Sequence, residues 1–194
     1  RVKENERWIN TIVNNLNDAV VVQDINTAEI IYVNETASKL YGYDHHELVT
    51  LSIADLSSNN SIFNQKIAEK KIKQCLEEGP QVFEWLARKK DDSEFWVEVN
   101  MREAILNNEK RIMVVVRDID DRKKKQQEIN NLQKYLIDII DSMPSIIIGT
   151  DKNIRITQWN RKAQAFTKTS IKDALGQDLA KIDTGLPENL SDQI

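Results

Sequence analysis

Two adjacent histidines, His45 and His46, are the residues best suited to hold a metal or pass a proton, and a single cysteine, Cys75, is the one thiol. An imidazole titrates near neutral pH and is the commonest metal ligand, and a thiolate is a strong nucleophile. The spacing gives neither group a partner. Two neighbouring histidines in a polar stretch, with no further His or Cys at ligand spacing, do not make a zinc site. They read as a solvated turn, and Cys75 as a small buried apolar residue. Glu84 and Glu98 stand singly among apolar residues and read as solvated or ion-paired. No nucleophile–base pair, phosphate loop or metal cluster is present in the sequence, so catalysis within these residues is not expected. A second group, Tyr32, Asn34, Phe63, Ile67, Trp85 and Trp96, could line a ligand pocket. The plainer alternative is that the aromatics fill a core and a dimer face, because a ligand site resembles an apolar core with a few polar groups. Asn34 then reads as a helix cap. The basic run Arg122, Lys123, Lys124, Lys125 has no interleaved aromatic residue, and the chain carries a net charge of −4. It reads as a solvated helix start, with no nucleic-acid partner and no membrane contact expected.

The elements that must position these residues follow from apolar spacing. Residues 1–17 carry Val2, Ile9, Ile12 and Leu16 on one face of an amphipathic helix. Residues 19–24 and 29–33 read as two strands joined by a turn. Asn34 then caps a helical stretch over 35–40 that Gly42 ends. Residues 44–48 and 52–56 read as single helical turns, and 61–78 as a longer helix stopped by Gly79-Pro80. Three strands follow, over 82–88, 94–106 and 111–119, joined by short polar turns as in an antiparallel meander. In the first, Phe83, Trp85 and Ala87 share one face, and Val82, Glu84 and Leu86 the other. Asp120 or Asp121 caps the next helix. There Ile129, Leu132, Leu136, Ile139 and Met143 recur at three, four, three and four, a heptad seam for a paired helix. The order is α+β, not a regular βαβ series.

The chain also repeats itself. Residues 19–56 and 145–182 follow one plan, offset by about 126–127 positions: Asp24 falls on Asp151, Asn34 on Asn160, Ala37 on Ala163 and Leu40 on Phe166. A repeat this long marks tandem modules rather than a solenoid, whose units run about 20–50 residues.

Tyr32-Val33-Asn34 with Ala37 and Leu40, then Gly42 to Leu48, the strand pair over 83–99, and Val114 to Lys123 together resemble the PAS domain, a small sensory module of signalling proteins. Gln158-Trp159-Asn160 and Leu175-Gly176 carry the resemblance into the second copy. Three positions depart from the family pattern. Lys90-Asp91-Asp92 replaces the usual Lys-Asp-Gly, Thr50 stands where the second copy has Gly176, and Asp120 replaces the threonine of Asp-Ile-Thr.

The resemblance implies a PAS fold: a five-stranded antiparallel sheet with small helices on one face, flanked by amphipathic, coiled-coil helices. The expected domains are a helix at 1–17, a first PAS domain at 18–121, a signalling helix at 122–143 and the front half of a second PAS domain at 144–194. The remaining strands of that second domain are expected beyond Ile194, with Leu190 to Ile194 opening its long helix. It also implies a function: a small molecule, a redox cue or a partner is detected and relayed through Asp118, Ile119, Asp120 and Arg122 into the helix. Two such helices pair into a homodimer that drives an output domain. The parent implied first is a sensor histidine kinase of a two-component phosphorelay, with a diguanylate cyclase or phosphodiesterase, or a stand-alone small-ligand receptor, as alternatives. The cofactor is left open. Haem is not expected, because the long helix lacks a histidine, nor photoreactive flavin, because Cys75 is not in an Asn-Cys-Arg-Phe setting. One cysteine and no visible signal peptide suit the cytoplasm, with a membrane anchor elsewhere in the parent left open.

Overall fold

The computed structural model describes residues 11, 13–58 and 62–182. Most of the amphipathic helix expected at 1–17, and the helix start expected at Leu190, lie outside the described residues. Two compact units are present, 1–125 and 126–194.

In the first unit, β-branched and aromatic runs form β1 (Ala19–Asp24), β2 (Ile30–Val33), β3 (Gln81–Arg88), β4 (Glu94–Leu106) and β5 (Glu109–Asp118). They make one antiparallel sheet in the order β2-β1-β5-β4-β3. The chain folds this way because each polar turn allows an immediate return. Asn107 and Asn108 both take left-handed backbone angles (φ 51° and 63°) at the β4–β5 turn, the conformation that matches strand twist in a tight hairpin. Asp92 takes the left-handed angle (φ 64°) in the turn where the family usually has glycine.

Between β2 and β3 lie α1 (Glu35–Tyr41), α2 (His45–Leu48) and α3 (Gln65–Glu78). Gly42 ends α1 in a left-handed conformation (φ 77°), donating its N–H to the Ser38 carbonyl. Two expectations are corrected here. The long helix starts at Gln65, because the Asn64 side chain accepts the Ile67 N–H and fixes the first turn there. Residues 52–56 form a turn, not a helix, since the Asp55 carboxylate takes both the N–H and the hydroxyl of Ser52. The helices cover one face of the sheet. Between them lies a core that includes Val21, Val33, Leu48, Ile72, Phe95, Val97, Ile112 and Val114. Alternation along β4 sends Phe95, Val97, Val99 and Met101 into that core and turns Trp96, Glu98 and Asn100 to the opposite face.

Helix α4 (Asp120–Ser142) opens in the first unit and continues into the second. The second unit then has a hairpin of β6 (Ile148–Thr150) and β7 (Ile156–Trp159), followed by α5 (Arg161–Thr167), α6 (Ile171–Ala174) and a 3-10 turn at Leu179–Lys181. Its small core is Ile156, Trp159, Ala163 and Ala174, with Ile148 and Leu179 packed on it.

Candidate sensory cavity and signal exit

The first unit holds a partly open cavity of about 70 Å³ between the helices and the sheet, lined by Tyr41, Ala68, Trp85 and Met101 among mostly apolar neighbours. Two side chains give it polarity. Ser57 accepts the Trp85 indole N–H at 3.0 Å and donates its own hydroxyl to the Ile53 carbonyl at 2.6 Å. Gln23 lies in the core-facing register of β1 and is only 2% exposed, and its side-chain carbonyl oxygen has no partner among the described residues. A buried amide oxygen left unpaired costs about 1–3 kcal/mol, so it is a ready acceptor for anything small enough to enter. Burial pushes the Tyr41 hydroxyl well above its ordinary pKa and keeps it neutral.

Of the expected pocket residues, Trp85 lines this cavity, while Tyr32, Asn34, Phe63, Ile67 and Trp96 are not among its lining residues. Phe63 meets the Trp85 ring edge-on at 5.2 Å and the Trp96 ring at 5.8 Å. Trp96 is on the outer face of the sheet. Tyr32 is half-buried on β2, with His45 edge-on at 6.4 Å. Ile67 is partly exposed at the start of α3. Asn34 is buried and caps α1. Gln23, Tyr41 and Ser57 were missed by the sequence reading. Gln23 ends a valine-rich run, and a polar residue on the core side of such a run is the one signal that pointed to it.

The exit is built around Trp96. Its backbone carbonyl accepts the Ile119 N–H at 2.9 Å, and its N–H approaches the Asp120 carboxylate at 3.4 Å. Ile119 is buried. Lys123 lies over the Trp96 ring at 5.0 Å and is paired with Glu84. Arg122 reaches Glu98 at 3.5 Å and Glu84 at 3.7 Å. The basic run and the two strand carboxylates therefore form one cluster that fastens the start of α4 to β3 and β4. Asp120 does not supply the cap. The helix begins at Asp120, so Asp120 and Asp121 both lie inside its first turn; the Asp118 carboxylate accepts the Asp120 N–H at 2.8 Å, while the Asp120 carboxylate bonds Lys124 and the Trp96 N–H. Lys124 holds the Asp120 carboxyl below the usual carboxylate range, helped by the Trp96 N–H.

The seam residues Ile129, Leu132 and Leu136 are 49%, 53% and 55% exposed on α4. Ile139 is half-buried, and Met143 lies just past the helix end.

A family model described as PAS domain matches residues 17–121, and a second, described as PAS fold, matches residues 136–182. The chain belongs to the PAS family. A methyl sulfide methyltransferase-associated sensor from Methanosarcina acetivorans is 26% identical over 144 residues, which is 73% of this chain and 14% of that protein. The chain thus spans about a seventh of that relative. The PAS domain of an HTR-like protein from Haloarcula marismortui superposes with a TM-score of 0.55 at 25% identity, over 61% of this chain and 95% of that one. A PAS domain from a two-component sensor histidine kinase gives a TM-score of 0.52 at 15% identity, over 61% of this chain and 99% of that one, a likeness of fold.

In this PAS domain the groups that first suggested chemistry are peripheral to the cavity. His45 and His46 are exposed on α2. Cys75 is buried on α3, its thiol directed at the Met101 carbonyl at 3.4 Å, and burial pushes its pKa up. Among the described residues no group of three or more His, Cys, Asp or Glu side chains could hold a metal. No described helix is long and apolar enough to cross a membrane.

Proposed function

We propose that residues 18–121 are a cytoplasmic sensory domain whose core cavity takes a small molecule, and that the signal leaves through Asp118, Ile119, Asp120 and Arg122 into α4. The observation that carries this reading is the continuity from cavity to exit. Trp85 forms a cavity wall, Phe63 touches both Trp85 and Trp96, and Trp96 holds Ile119 and Asp120 through its backbone. The ligand is mainly apolar, of a few heavy atoms, with one hydrogen-bonding group for the Gln23 amide. A second copy of the chain pairs along Ile129, Leu132, Leu136, Ile139 and Met143, and a small rotation or shift of the paired helices reaches the following domains. The output is the kinase of a two-component system. The similarity to the sensor from Methanosarcina acetivorans and to the PAS domain of a two-component sensor histidine kinase supports this choice.

Two results test the proposal. Gently purified protein, weighed by native mass spectrometry, is expected to carry one small molecule per chain, absent from Ala68→Leu, in which the added carbons fill the cavity. Both proteins at bare mass would remove the ligand from the reading. Leu136→Glu is expected to halve the mass seen by light scattering, because a charge on an apolar seam opposes pairing. An unchanged mass counts against the paired helix.

A further inference from the structure

Asn34 and Asn160 stand at the same place in the two units and make the same bonds. The Asn34 side-chain oxygen accepts the Val20 N–H at 2.9 Å and the Ala37 N–H at 3.0 Å. That of Asn160 accepts the Ile147 N–H at 3.0 Å and the Ala163 N–H at 2.9 Å. These bonds cap α1 or α5 and fix the start of the hairpin. The other half of each amide points backwards along the chain. Asn34 donates to the carbonyls of Val13 at 2.9 Å and Asp18 at 3.1 Å. Asn160 donates to the carbonyls of Ile140 at 3.1 Å and Ser145 at 2.9 Å.

Val13 lies in a helical turn ahead of the first unit's sheet, and Ile140 in the last turn of α4. The last four carbonyls of a helix have no partner within it. One buried amide therefore closes the end of the incoming helix, the first strand and the first small helix at once, using all four of its hydrogen-bonding positions. A second bond is repeated beside it. Asn14 accepts the Glu35 N–H at 3.0 Å, and Asp141 accepts the Arg161 N–H at 2.9 Å. A helix cap alone asks only for an acceptor, which Asp or Ser supplies as well as Asn. The two donated bonds ask for an amide, and the chain has asparagine both times.

We infer that Asn34 and Asn160 are positioning residues forming the mechanical joint through which each unit is coupled to the helix entering it. The inference rests on these bonds and is independent of the proposed ligand. A shift of the helix end pulls on the strand start and the small helix together, so each unit has an input joint as well as an exit.

The variant that separates the joint from the cap is Asn160→Asp, which keeps the acceptor and abolishes the donors. Hydrogen exchange by NMR on the full chain is the readout. The amides of Asp141, Ser142 and Met143 are expected to exchange about tenfold faster or more, while Ala163 keeps its protection, a difference of about 1.4 kcal/mol in local opening. Unchanged exchange at the helix end would overturn the joint and leave Asn160 a cap. Should Asn160→Asp fail to fold, Asn160→Ser, which also keeps a capping acceptor and lacks the amide donors, decides the matter. Faster exchange of Ser142 and Met143 supports the joint, and unaltered exchange refutes it.

Discussion

Trp85→Ala is expected to lower the melting temperature of the first unit by roughly 12 °C or more. The side chain is buried, its indole N–H is bonded to Ser57, and Phe63 and Phe83 meet its ring at 5.2 and 5.9 Å. Removing a buried tryptophan costs about 3–5 kcal/mol, because transfer energy is lost and the surroundings refill the space only in part. In a domain of this size each kcal/mol is worth about 4–8 °C. The loss has a second part. Ser57 belongs to the segment that pairs with the edge strand β3, through Arg88 N–H to Leu56 and Ser58 N–H to Leu86. Without the indole, that cover of the edge loses its one side-chain tie to Trp85. Val82→Ala, three residues earlier on β3 and facing solvent, is the control and should change stability by less than about 0.5 kcal/mol. Differential scanning calorimetry measures both. Equal melting temperatures would mean that the cavity wall contributes nothing to the fold.

Asn34→Ala is expected to cost about 2–4 kcal/mol by urea unfolding. Alanine removes four bonds at a residue that is 1% exposed. It leaves the N–H groups of buried Val20 and Ala37 without their side-chain acceptor. Each buried group orphaned in this way costs about 1–3 kcal/mol, with water recovering part of it at the partly exposed Val13 and Asp18 carbonyls. Asp18 softens the loss from another side, since its carboxylate pairs with Arg117 at 2.7 Å and stays anchored to β5. A cost near the few tenths expected of an exposed cap residue would contradict the burial of this amide.

The fold was largely legible because the strands and turns carry local signals. The Asn107-Asn108 turn and the alternation in β3 are readable without any tertiary information. The same alternation, applied to β4, places Trp96 opposite Phe95 and Val97, and so outside the core. Its aromatic character alone had suggested the pocket. The cavity was legible only in part. Trp85 announced itself by size, whereas nothing local tells that the Gln23 oxygen lacks a partner or that Ser57 returns to meet Trp85 across 28 residues. The cap role of Asn34 was readable, and the equivalence of Asn160 was visible in the repeat. The donated half of each amide was not, because its acceptors are main-chain carbonyls and any residue supplies one.

That last point bears on how such modules are assembled into different proteins. The asparagine amides reach for peptide oxygens at Val13 and Ile140, not for side chains. Peptide oxygens are common to every helix. A module carrying this residue keeps these bonds behind a helix of another sequence, provided the helix ends about 20 residues ahead of the asparagine, whereas the neighbouring bond from Asn14 or Asp141 needs an acceptor side chain at the helix end. Exchange of such units then asks the connecting sequence for one acceptor side chain at the helix end, which leaves the outer face of each helix free to diverge in its choice of pairing partner.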